Sequence, residues 1–145
     1  MKLSIQVVLI AAALAATGAY AKGDRTDPNA IARSETMRAI GGAIGALGKM
    51  AKGEMPYDAT AAQAAKDAVI AAAAAAPEAF MTQGDADPAS EAKAELWANW
   101  DDFALKATAL GDAANALDVS SVETIGAGLG PLGGACKACH TAYRM

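Results

Sequence analysis

The chain has 145 residues, 54% of them hydrophobic, with 16 acidic against 12 basic side chains and a formal charge of −4. That length suits one domain with a modest core. The acidic balance speaks against nucleic acid as a partner, and two cysteines with one histidine are too few for a protein-only zinc centre of about four ligands.

Met1 to Ala21 reads as a secretory signal peptide, with Lys2 as the charged start, an apolar run, and Ala19-Tyr20-Ala21 before the cut. The run is shorter than the roughly 20 residues a membrane span needs, and the Ala-x-Ala ending favours cleavage. Residues 22–145 then form the domain. Of the 145 residues, 124 remain, with 11 basic and 16 acidic side chains and a formal charge of −5. No second long apolar segment follows, so no membrane span is expected in the mature chain, and an exported compartment such as a bacterial periplasm fits.

The mature sequence carries four segments with apolar or small residues at alternating four- and three-residue steps, the pattern of a helix bundle. Asp27-Pro28, an N-cap followed by proline, opens the first helix, which runs to about Lys52 before Gly53. Its seam is Arg33, Met37, Ile40, Ile44, Leu47 and Ala51. Asp58 caps the second, with the seam Ala62, Ala65, Val69, Ala72 and Ala76, and Pro77 ends it. The stretch 77–87, with Phe80, Met81 and Gly84, reads as a surface loop. Asp87-Pro88 repeats the start signal for a third helix with the seam Leu96, Trp100, Phe103, Ala107, Leu110, Ala114 and Leu117. Ser120 and Glu123 form a capping box for the fourth, whose seam is Val122, Ile125, Leu129, Leu132, Cys136, Cys139 and Tyr143. Pro131 and five nearby glycines conflict with that helix. Either it kinks or breaks there, or the glycines let a flat group or a neighbouring helix approach closely. The expected fold is all-α, an antiparallel four-helix bundle with a cofactor in the core.

The cofactor is indicated by Cys136-Lys137-Ala138-Cys139-His140. Two cysteines three apart with a histidine directly after the second is the attachment signal of a c-type haem. On a helix both sulfurs share a face, where they can form thioethers with the two vinyl groups of one porphyrin. His140 projects from the same side and can reach the iron as proximal ligand. A thioredoxin-like pair would need a strand-helix-strand setting, and a disulfide between helical neighbours is poorly placed.

With Ala142-Tyr143-Arg144 after the motif, Lys52-Gly53-Glu54-Met55-Pro56-Tyr57-Asp58-Ala59 after the first helix and Glu95-Leu96-Trp97 in the third, the mature chain resembles class II c-type cytochromes, the cytochrome c prime family. The resemblance implies a four-helix bundle with one haem c bound by Cys136 and Cys139 and His140 as proximal ligand. Members of that family are often homodimers through the first two helices, and the sequence leaves monomer and dimer both open. The family divides by what the first helix offers to the opposite side of the iron. Members with a nonligating side chain there bind nitric oxide or carbon monoxide, and low-spin members place a methionine there and carry electrons.

The matching position is Met37, in Glu35-Thr36-Met37-Arg38, and its context is most like the low-spin His/Met members. A methionine on a bundle seam is also ordinary core filler. Arg33, one turn earlier, can pair with a haem propionate or reach solvent from the helix start. Arg144 matches a proximal-side arginine of the family, or complements the helix dipole. The expected function is a periplasmic monohaem electron carrier exchanging electrons with redox partner proteins and turning over no substrate. The alternative is a five-coordinate cytochrome c prime that binds nitric oxide or carbon monoxide. A peroxidase-like enzyme is disfavoured, because the single histidine is committed to the iron.

Overall fold

The computed structural model describes residues 23–145; the expected signal peptide lies outside the described residues. Its helices are α1 (Pro28–Ala51), α2 (Ala59–Phe80), a single turn α3 (Glu95–Ala98), α4 (Trp100–Ala116) and α5 (Val122–Tyr143). The four long ones form the expected bundle, packed in the ring order α1, α2, α4, α5, with α1 and α5 the loosest neighbouring pair. Two caps match the sequence reading: Asp27 accepts from the Ala30 amide and Asp58 from the Ala61 amide. At the end of α1, Gly53 takes φ 72°, and the Gly53 and Glu54 amides reach back to the Met50 and Lys49 carbonyls.

The core has two parts. The larger joins Ile40, Leu47 and Met50 of α1 to Val69, Leu110, Ile125 and Leu132; the smaller holds Phe80, Leu96, Phe103 and Tyr143. Alanines supply most of the buried face of α2, so α1 and α4 lie close to it. Lys66 donates to the Asn115 and Leu117 carbonyls at the end of α4, where a cation complements the helix dipole.

Three boundaries differ from the sequence reading. Helix α2 passes through Pro77 and ends at Phe80. A proline within a helix costs about 3 kcal/mol, and burying Phe80 offsets about 1.5–3 kcal/mol of it; Phe80 is 7% exposed and stacks on Phe103 at 5.1 Å.

Asp87-Pro88 opens no helix. The Asp87 carboxylate accepts from the Thr26 and Asp27 amides and its carbonyl from the Ser90 amide, a turn with aspartate first and proline second. The chain then runs beside its own C-terminus. Ala92 bridges Arg144, the Lys93 amide donates to the Tyr143 carbonyl and the Met145 amide to the Glu91 carbonyl. Helix formation begins only at Glu95 and is interrupted at Asn99 (φ −124°, ψ 47°), whose side chain donates to the Glu95 carbonyl.

The N-cap of α5 is Ser121, one residue later than expected, because Thr124 closes the capping box with it. That helix then continues through Pro131 without a break. Of the nearby glycines only Gly128 meets a close neighbour: a Cβ there would stand 2.2 Å from Leu117 Cδ1, so close helix approach explains this one.

Gly84 (φ 73°) sits where a Cβ would meet the Asp27 carboxylate at 2.6 Å. Gly84→Ala is therefore expected to destabilise the fold by about 1–2 kcal/mol from the left-handed conformation alone, with crowding of the α1 cap added. A denaturant midpoint equal to that of the wild type would refute this.

Candidate functional site

A cavity of about 410 Å³ opens between α1 and α5 at the aromatic end of the bundle. Helix α1 contributes Ala30, Arg33 and Met37, α5 contributes Cys139, His140 and Tyr143, and Phe80, Leu96 and Phe103 form an apolar wall. Four of the five residues singled out from the sequence thus line one space. Cys136, the fifth, lies one turn earlier on α5, half-buried against the larger core cluster.

Both cysteines are free, and burial pushes their thiols above the usual range. His140 is exposed; even so, partial desolvation, followed by the Arg144 charge, holds its imidazole below the usual histidine range. The ring is neutral at pH 7 and keeps a nitrogen lone pair for a metal. Met37 is half-buried and packs against both core clusters. The other methionines among the described residues lie elsewhere. Met50 is 2% exposed within the larger cluster, Met55 packs at that same end, and Met81 and Met145 stand out in solvent.

Arg33 does not reach solvent: it is 5% exposed. One guanidinium nitrogen, Nη1, donates to the Thr82 and Gln83 carbonyls at 3.0 and 3.1 Å, and the cation stacks over Trp97 and Phe80. Burial pulls its pKa down, against the charges of Asp27 and Asp87. Its Nε–H is buried with no partner among the described residues. An unmade bond of this kind costs about 1–3 kcal/mol, and a carboxylate entering the cavity would satisfy it.

Three features of the site went unread in the sequence. Phe80 belonged to the supposed loop. Ser90, Glu91 and Ala92 line the cavity beside His140, held there by the pairing with the C-terminus. Glu91 also grips Arg144, whose Nη2 lies 2.7 Å from its carboxylate, so that arginine serves an ion pair. Finally, the Tyr143 hydroxyl donates to Asp102, which Lys106 also holds, and the carboxylate pushes the tyrosine pKa up to about 12. This fixes the ring on the α4 side of Cys139.

The residues fit a haem c. Two thiols and an imidazole on successive turns of one helix, an apolar wall and a buried arginine lacking an acceptor match a porphyrin with vinyl groups, iron and carboxylates. By contrast, among the described residues no three histidine, cysteine or acidic side chains cluster to hold a bare metal ion. No helix among them is long and apolar enough to cross a membrane.

Comparisons with known proteins point the same way. A family model described as Cytochrome C' matches residues 29–144. Cytochrome c-556 of Agrobacterium tumefaciens (strain apple 185) is 44% identical over 117 residues, covering 79% of this chain and 92% of its own. The NMR-validated structural model of oxidised R. palustris cytochrome c556 superposes with a TM-score of 0.72 at 26% identity, over 81% of this chain and 96% of that one. A nitric oxide complex of a cytochrome c prime variant from Alcaligenes xylosoxidans does so with a TM-score of 0.68 at 28% identity, over 80% and 93%.

Proposed function

The chain belongs to the cytochrome c prime family, and from that premise we propose that it is a periplasmic monohaem electron carrier in which His140 and Met37 would hold the iron. The observation carrying this reading is that Met37 of α1 lines the same cavity as Cys139 and His140 of α5, while no other methionine among the described residues lines it. Haem c, when bound, supplies a one-electron couple at iron. Cys136 and Cys139 would tether the porphyrin, His140 would offer a neutral imidazole, and the soft thioether of Met37 would favour the reduced metal. Phe80, Leu96 and Phe103 exclude water, and Arg33 meets a carboxylate. Substrate turnover is not part of this reading, because no second imidazole exists to move protons. A homodimer through α1 and α2 accords with it, since exposed Gly45, Ala64, Ala68 and Ala71 permit close approach.

The second reading, a five-coordinate gas binder, draws support from the nitric oxide complex of the Alcaligenes xylosoxidans relative. Absorption spectra separate the two. The carrier should be low-spin when oxidised, with a weak far-red band from sulfur coordination, and should bind carbon monoxide poorly when reduced. A high-spin oxidised spectrum with ready carbon monoxide binding selects the gas binder.

A further inference from the structure

We propose that the mouth of the cavity is the docking surface for an acidic redox partner, a protein that presents carboxylates to Arg25, Arg38 and Arg144. The proposal rests on the electron-carrier reading and adds the chemistry of the partner. The chain is acidic overall, yet its four arginines, Arg25, Arg33, Arg38 and Arg144, all line this one cavity. No lysine lines it, and Glu91, the single carboxylate there, is held by Arg144.

Arg33 lies beneath, while Arg38 and Arg144 are exposed and Arg25 half-exposed, so the charge is presented outward. Asp27 and Asp87, whose charges act on Arg33 from behind, are taken up by backbone amides around the α1 cap, so the charges that face outward at the mouth are Arg25, Arg38 and Arg144 against the single carboxylate of Glu91. At about 0.1 M salt a charge is felt over about 10 Å. An approaching partner therefore responds to the groups at the mouth more than to the net charge of the whole chain. Guanidinium forks also match carboxylates in pairs, which lysine does not, and opposite charge at the contact speeds encounter.

The test uses haem-loaded protein and two small oxidants of opposite charge, hexacyanoferrate(III) and tris(phenanthroline)cobalt(III). In either reaction one electron leaves the ferrous iron and reduces the complex, and no proton moves. Against the sign of the net charge, the rate with hexacyanoferrate(III) should fall about threefold or more as ionic strength rises from about 0.02 to 0.5 M, while the rate with the cobalt cation does not fall. Arg25→Gln with Arg38→Gln should abolish that fall. Lys49→Gln with Lys52→Gln, roughly 20 Å along α1 from Arg38, removes the same charge and should leave it intact.

Redox-inert hexacyanocobaltate(III) gives a readout independent of electron transfer: it should shift the side-chain N–H resonances of Arg25, Arg38 and Arg144, and the shifts should vanish at high salt. A hexacyanoferrate(III) rate that rises with salt, or no shifts at those arginines, overturns the docking surface and leaves the carrier intact. Failure of both oxidants to react would sink the carrier reading and this proposal with it.

Discussion

Met37→Leu is expected to turn a low-spin protein that binds carbon monoxide poorly into a high-spin one that binds carbon monoxide and nitric oxide readily. Leucine nearly conserves the volume of methionine, so the cost to the fold should stay below about 1.5 kcal/mol. Met37 touches both halves of the core, and an apolar side chain of similar size keeps those contacts. What disappears is the sulfur. Thioether ligation favours the ferrous state, so the potential should fall, on the order of 0.1 V within the roughly 0.8 V that axial ligands span. Spectra, carbon monoxide titration and a potentiometric titration of both proteins check this. A wild type already high-spin and gas-reactive, little altered by the substitution, would make Met37 a packing residue and the gas-binding function the better one.

Cys136→Ala with Cys139→Ala should have the other large effect, complete loss of covalent attachment. Wild-type haem should stay with the polypeptide through denaturation and acid-acetone extraction, and that of the variant should leave with the solvent. Haem extracted freely from the wild type would remove the thioethers from the account. The fold should suffer as well, because an emptied cavity of about 410 Å³ is too large for its walls to close by relaxation. The haem-free variant should therefore unfold over a broad range instead of in one sharp step. A sharp, cooperative transition would mean that the walls hold their shape without the cofactor.

Much of this was legible from local chemistry. Asp27-Pro28, Asp58 and Gly53 act within one turn of themselves, and the thiols and imidazole of Cys136, Cys139 and His140 share a helical turn by spacing alone. Where two structures share one local signal, distant partners decided. Asp87-Pro88 suits a helix start and a β-turn equally. The turn prevails because the amides of Thr26 and Asp27, some sixty residues away, need that carboxylate. Pro77 was overridden by the burial of Phe80, and of two adjacent serines Ser121 caps α5 because Thr124 answers it. The same long-range pairing brought Ser90, Glu91 and Ala92 to the cavity, and no periodicity marks such a segment. Arg33 on the seam was visible; its carbonyl partners at Thr82 and Gln83 were not, since they lie in the connection that follows α2.

The division of the core in two sets an order of events for a chain that must reach its cofactor before it is finished. The buried members of the larger cluster, from Leu47 and Met50 through Val69 to Ile125 and Leu132, do not line the cavity, and only Met37 and Cys136 at its edge connect it with the haem site. That cluster can therefore assemble early, drawing the α1–α2 and α4–α5 hairpins together through contacts near in sequence. The aromatic end around Cys139 and His140 is then expected to consolidate last, which pulse-labelled amide exchange during refolding would show as later protection of Phe103 than of Val69. Met37, packed against both clusters, sits at the boundary between the two.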